Sequence, residues 1–374
     1  MPANRYREIE RINDLPSPDK SGNINRYVFQ NIDFSLVPQY LAAGHRFNDC
    51  CFLGCVIPRE MECCLGRRCL VFPALDLPYN AFKGGLYNRE SLYKGYDPTR
   101  QETFTECYDS KIYADYIKQG KRSDNILDTL GRSLHDHSME DALYDFLGHF
   151  DEKQVVAVMG GHALLRTEEQ YKSVVLISKA LVEKGKLMAS GGGPGAMEAT
   201  HLGAWMAGRS MKELEEAMTI LRAAPSFRDE GWLRTAFEVM DRFPQNRYRS
   251  LGIPTWFYGH EPATPFATDI AKFFSNSIRE DTLLAIAMGG IIYTPGSAGT
   301  LQEIFQDAAQ NHYETFGYAS PMVFLGTQFF TKDVPVFSLL QDLVKRGRYK
   351  NLPISITDDP AEAVKHIMAF TDKK

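Results

Sequence analysis

From Asp151 onward, short apolar runs alternate with stretches of helical length, and this alternation constrains the fold more than any other feature of the 374-residue chain. VVAVMGG (155–161) reads as a buried strand ending in Gly160 and Gly161, and TEEQYKSVVLISKALVEKG (167–185) as an amphipathic helix closed by glycine. KLMAS (186–190) is a second strand, running into the glycine loop and helix of GGGPGAMEATHLGAWMAG (191–208). A polar helical insertion follows, over about 209–250. TWFYGH (255–260), a long helix ending near Ala287, strand GIIYT and the helix opened by PGSAGT (295–300) come next. Strand MVFLG, helix FSLLQDLVKRG, strand LPISIT and helix DPAEAVKHIMAF complete the series. Elements of these lengths predict right-handed strand–helix–strand units, and hence an α/β domain over 151–374 with a parallel sheet covered on both faces.

The first 150 residues differ. RYVFQNIDF (26–34), CCFLGCVI (50–57) and CLVFPALDLPYNAF (69–82) are aromatic and turn-rich. They predict the short strands and loops of an N-terminal α+β accessory region over 1–150, with no internal repeat. DNILDTLGRSL (124–134) has a helical pattern, and Ser138 followed by Asp141 reads as the cap of a further helix. His135, Asp136 and His137 then fall in a solvated loop before that cap; three adjacent residues do not converge easily on one metal ion. The seven cysteines, at 50, 51, 55, 63, 64, 69 and 107, are odd in number and form no CxxC pair. They read as reduced core residues rather than a disulfide framework or a zinc site.

A net charge of −5 gives no reason to expect nucleic acid or an anionic membrane as partner. The opening MPANRYREIERIND lacks an apolar core, and no run approaches the roughly 18 apolar residues of a membrane span. The expectation is a cytoplasmic protein.

Ligands of parallel sheets bind beyond the carboxyl ends of the strands, where glycine loops meet helix N-termini. Two loops here have that character. In the first, glycines at 191, 192, 193 and 195 allow close backbone approach, Pro194 suits a first helical turn, and Met197 lies just inside. The second offers Gly296, Ser297, Ala298, Gly299 and the Thr300 hydroxyl. Free N–H groups and a positive helix end favour an anion, most often phosphate. Neither loop is a GxGxxG dinucleotide fingerprint, and GxxxxGK[ST] is absent.

Glu303 sharpens the reading. Thr300, Glu303 and Asp307 share one helical face, and a glutamate early in any helix is favoured by the dipole alone. One turn inside a phosphate loop, however, its carboxylate stands roughly 5 Å along the axis from the anion, near the sugar of a 5′-phosphate. There it can bind ribose hydroxyls and stabilise positive charge at the anomeric carbon during glycosidic cleavage.

GGGPGAMEATHLGA and PGSAGTLQE together resemble the GGGxxGxM and PGGxGTxxE motifs of the LOG family, over about 154–370, with Ser297 in place of a motif glycine. The layout is closest to the longer bacterial pyrimidine/purine nucleotide 5′-monophosphate nucleosidases. That resemblance implies a Rossmann-like doubly wound sheet, a nucleoside 5′-monophosphate phosphoribohydrolase, and Glu303 as the catalytic glutamate. It also implies a catalytic arginine on the preceding helix. Arg279 is the candidate, although the family spacing falls on Glu280, so the site-facing stripe can include either, with Asn276 beside them. His162 and Arg166 are further candidate ligand contacts, while His201 reads as a packed or solvated histidine. No metal or cofactor is required by this chemistry, and a homodimer is implied.

Two further readings stay open. A non-catalytic protein that binds or senses a nucleotide or phosphorylated cofactor would explain Ser297 and the displaced arginine. A transferase or hydrolase acting on another bond of a nucleotide derivative would use the same loops.

Overall fold

The computed structural model describes residues 6–259 and 261–371. The start of the polar amino-terminal segment and His260 of the TWFYGH run therefore lie outside the described residues. The chain divides into two units, Met1–Leu86 with Asp115–Leu143, and Tyr87–Ala114 with Tyr144–Lys374. No described helix is long and apolar enough to cross a membrane.

In the first unit, strands β1 (Arg7–Ile9), β2 (Asn23–Asn25), β3 (Tyr27–Gln30), β4 (Arg46–Asn48), β5 (Cys51–Leu53) and β6 (Leu70–Phe72) are all parallel. They stack as β1-β3-β5-β6, with β2-β4 alongside. Ile9, Phe29 and Phe52 occupy successive rungs, and the Phe29 and Phe52 rings stack with centroids 5.0 Å apart. This is a coil that advances one rung per turn, so a structural repeat exists where the sequence predicted none. It went unseen because what recurs is one inward-facing apolar position, filled by different residues on turns of unequal length. Cys50 and Cys55 lie inside the coil, their thiols donating to the carbonyls of Ile24 at 3.4 Å and Phe29 at 3.3 Å.

Short helices α1 (Pro38–Ala42), α2 (Arg59–Glu62) and α3 (Arg89–Leu92) precede the longer α4 (Tyr108–Gln119) and α5 (Ile126–Leu147). Helix α5 overturns the expected loop and cap at 135–141. No proline interrupts the stretch, and the polar groups find partners without ending the helix. His135 and Asp136 are buried and hydrogen-bonded to each other, His135 packs edge-on against Tyr79, and Ser138 Oγ donates to the Ala81 carbonyl at 3.1 Å.

The second unit holds seven parallel strands: β7 (Val155–Met159), β8 (Leu187–Ser190), β9 (Ser250–Gly252), β10 (Asp269–Ile270), β11 (Ile291–Tyr293), β12 (Met322–Leu325) and β13 (Ile354–Thr357). Their order is β10-β9-β8-β7-β11-β12-β13. Every residue of β7, β8, β11 and β12 is buried, as expected of a parallel sheet covered on both faces. The sheet is of the expected Rossmann-like doubly wound α/β class. Strands β9 and β10 were not foreseen, and Thr255 forms an isolated bridge to Phe273.

The helices of this unit are α6 (Glu169–Glu183), α7 (Ala196–Trp205), α8 (Met211–Leu221), α9 (Trp232–Arg242), α10 (Asn276–Ala285), α11 (Ala298–Tyr313), α12 (Val336–Lys345) and α13 (Pro360–Thr371). The segment between β8 and β9 is polar overall, yet Leu214, Ala217, Met218 and Leu221 recur at helical spacing and join the core beside α6 and α7. Ser210 caps α8 through a reciprocal bond with Glu213.

Candidate functional site

Strand order reverses between β7 and β11, the place where parallel sheets open a crevice. The loops leaving β7, β8 and β11 meet there and are tied by their backbones. Gly161 N–H donates to the Pro295 carbonyl at 3.1 Å, and Ala196 N–H to the Gly161 carbonyl at 3.2 Å. Two glycines permit this approach. A Cβ on Gly160 would run into Thr294 Oγ1, and one on Gly195, whose φ is +69°, into the Gly161 carbonyl.

A cavity of about 460 Å³ opens among these loops, within the range of small-molecule pockets, roughly 300–1,000 Å³. Gly160, Gly161, Gly193 and Met197 line one side. Ser297, Ala298, Gly299 and Thr300, the first turn of α11, line another. No side chain caps that helix, so its first N–H groups lack intrahelical partners and favour an anion.

Four other candidate residues stand behind this lining. Gly192 donates its N–H to Ser190 Oγ at 3.1 Å and accepts the Thr264 N–H at 2.8 Å. Gly195 closes on Gly161, and Gly296 packs against the Thr300 side chain. Asn276 Oδ1 accepts from the Arg279 guanidinium at 2.9 and 3.3 Å, and its amide donates to Tyr258 at 2.9 Å.

Arg279 and Glu303 both face the cavity, 3.6 Å apart, with side chains 11% and 12% exposed. Burial pushes the Glu303 carboxyl up to about 7; the Arg279 charge works against that shift and Glu280 adds to it. Glu280 also lines the cavity, its carboxylate 3.4 Å from Arg279 and accepting from Gln302 at 2.6 Å. The sequence left open whether Arg279 or Glu280 faces the site, and both do. Asp307, one turn beyond Glu303, turns instead to the buried Tyr293 hydroxyl at 2.7 Å. Burial raises Asp307 to about 7 as well.

Arg166 is not a ligand contact. It is 1% exposed and holds Glu198 through two bonds of 2.9 and 2.5 Å, with Thr235 and the carbonyls of Ala224 and Trp232 on its remaining N–H groups. A buried guanidinium needs this many acceptors, and none is left for a ligand. His162 does reach the cavity rim, 3.7 Å from Glu261. His201 is buried between Ser190 and Ser250. Tyr258, Glu261 and Gln302 line the cavity without having been singled out. The first two follow β9, and recognising SLG (250–252) as a strand would have placed them at a carboxyl end.

Fold and site together define a Rossmann-like α/β protein with an anion-favouring cavity where the strand order reverses. No family model matches the sequence, and no curated protein is similar to it. Among solved structures, the chain is similar to the molybdenum cofactor binding protein of Rippkaea orientalis, with 14% identity, 58% of this chain and 94% of the other covered, and a TM-score of 0.36. It is similar at the same level to the Chlamydomonas Moco carrier protein (16% identity; 59% and 98% covered; TM-score 0.36). TM1055 stands likewise (20%; 57% and 98%; 0.38). Likeness of this degree carries no argument about what this chain binds.

Proposed function

We propose that this chain hydrolyses the N-glycosidic bond of a nucleoside 5′-monophosphate, releasing the free base and ribose 5-phosphate. The observation that carries the reading is the Arg279–Glu303 pair, held one turn inside the uncapped N-terminus of α11. The 5′-phosphate would take the N–H groups at 298–300 and the glycine backbone at 193. Glu303 would then stand beside the ribose, where its carboxylate binds hydroxyls and stabilises charge at the anomeric carbon. The phosphate contacts supply binding energy that positions the ring. The resemblance of both loops to the LOG motifs supports the same assignment. Cytoplasmic residence and a homodimer belong to this proposal, and light scattering decides the latter.

Incubation with a panel of nucleoside monophosphates, followed by chromatography for free base, tests the reaction directly. Base release that disappears in Glu303→Ala supports it; a panel that yields no base removes it.

A second reading is binding without turnover, of a nucleotide or a phosphorylated cofactor. It is favoured by the Glu280 carboxylate standing where the LOG spacing expects arginine, and by Ser297 within the second motif. A monophosphate that raises the melting temperature but releases no base would select it.

A further inference from the structure

We propose that Glu280 decides whether Glu303 carries a proton, by competing with it for the Arg279 guanidinium; the proposal rests on the nucleosidase reading of the site. Arg279 reaches Glu280 at 3.4 Å and Glu303 at 3.6 Å, and all three side chains are about nine-tenths buried. Two largely buried carboxylates share one guanidinium, and one negative charge is left over. A proton cancels that charge at less cost than leaving it desolvated.

Hydrogen bonds decide which carboxylate takes the proton. Glu280 accepts from the Gln302 amide at 2.6 Å and from the Tyr258 hydroxyl. These donors favour its ionised form. The contact of Glu303 with Arg279, at 3.6 Å, is an ion pair without hydrogen-bond geometry. The proton therefore settles on Glu303, which lacks such donors, and the shared guanidinium couples the two carboxylates. The other titratable groups around Glu303 are Tyr258, Glu261 and His162 at the cavity, Tyr293 beneath it on β11, and Asp307 on its own helix. None of these shares the Arg279 guanidinium as Glu280 does.

This assigns Glu303 a second task. As the C–N bond breaks, its electron pair goes to the departing base, and the Glu303 acid supplies a proton to a base nitrogen. Water adds at the anomeric carbon and returns a proton to the Glu303 carboxylate, so nucleotide and water become base and ribose 5-phosphate with no other reactant. Glu280 is a positioning residue here: it acts on Glu303 through the shared Arg279 guanidinium.

The test follows the side-chain carboxyl signals of Glu303 by carbon NMR across pH in the full chain, and needs no substrate. In Glu280→Gln, Glu303 should titrate lower by about one pH unit or more, a tenfold loss of proton affinity. The exposed Gln302→Leu, which removes a donor from Glu280, should move the proton from Glu303 towards Glu280 even if Glu280→Gln fails to fold. Glu280→Asp should restore the wild-type curve at least in part. A Glu303 titration that is unmoved, or moves upward, in Glu280→Gln and Gln302→Leu overturns the proposal. Base release is measured separately: its absence would remove the nucleosidase reading, while the carboxyl titration still decides the coupling between Glu280 and Glu303.

Discussion

His201 Nε2 lies 2.8 Å from Ser190 Oγ, and the same hydroxyl takes the N–H of Gly192 at 3.1 Å. The other ring nitrogen meets Ser250 Oγ at 2.9 Å. One imidazole on α7 thus pins the end of β8, the start of β9 and the first glycine loop behind the cavity wall.

Burial pushes His201 down to about 3, so the folded ring is neutral across the working range. The unfolded ring takes a proton near 6.5. Between those values the unfolded state binds more protons, and stability falls as pH drops, by about 1.4 kcal/mol per unit from this group. His201→Gln should lose that share of the slope. Urea midpoints at pH 7, 6 and 5 give the comparison, and equal slopes in both proteins would refute it.

Glu303 has the opposite sign. Its folded value is about 7 against an ordinary 4.5, so the native state binds more protons between these limits and stability falls as pH rises through them. The penalty is complete above pH 7. Glu303→Gln should therefore be the more stable protein at pH 8, by up to about 3 kcal/mol, and should show no such gain at pH 4. Denaturant unfolding at both values checks this; no gain at pH 8 would mean that the carboxylate is not desolvated.

Gly195 bears two constraints at once, a left-handed backbone and contact with the Gly161 carbonyl. Gly195→Ala should cost about 1–3 kcal/mol of stability and push the two loops apart. Binding of ribose 5-phosphate, followed by calorimetry, should weaken at least tenfold. Unchanged affinity would separate this glycine from the anion site.

Arg166 and Glu198 form a buried pair whose loss leaves a charge uncompensated. Arg166→Ala should cost about 3–5 kcal/mol, whereas Arg166→Met combined with Glu198→Gln should cost clearly less. Urea unfolding of both variants distinguishes a needed pair from a dispensable one.

The strand–helix alternation after Asp151 was legible because parallel strands buried on both faces read as unbroken apolar runs, as VVAVM and MVFL do. Strands β9 and β10 were not, being only SLG and DI. Such short segments are held by their neighbours rather than by their own pattern. The glycine loops and Glu303 were readable because residue type and spacing both carry chemistry. Arg166 misled for a plain reason: near a strand end, an arginine that binds phosphate and one that binds a buried Glu198 look alike until Glu198, on α7, comes into contact. The first unit's coil was hidden because Ile9, Phe29 and Phe52 share a rung position without recurring at a fixed sequence spacing.

The pairing of β7 with β11 sets Ala157 beside Ile291, and this has a consequence for how the molecule comes into being. A growing chain completes the first glycine loop long before Pro295 exists, and such distant pairings form slowly. An unfinished chain thus lacks the cavity, whose walls come from both loops, however well its early helices form. Competence arrives late and all at once, when β11 slots in beside β7.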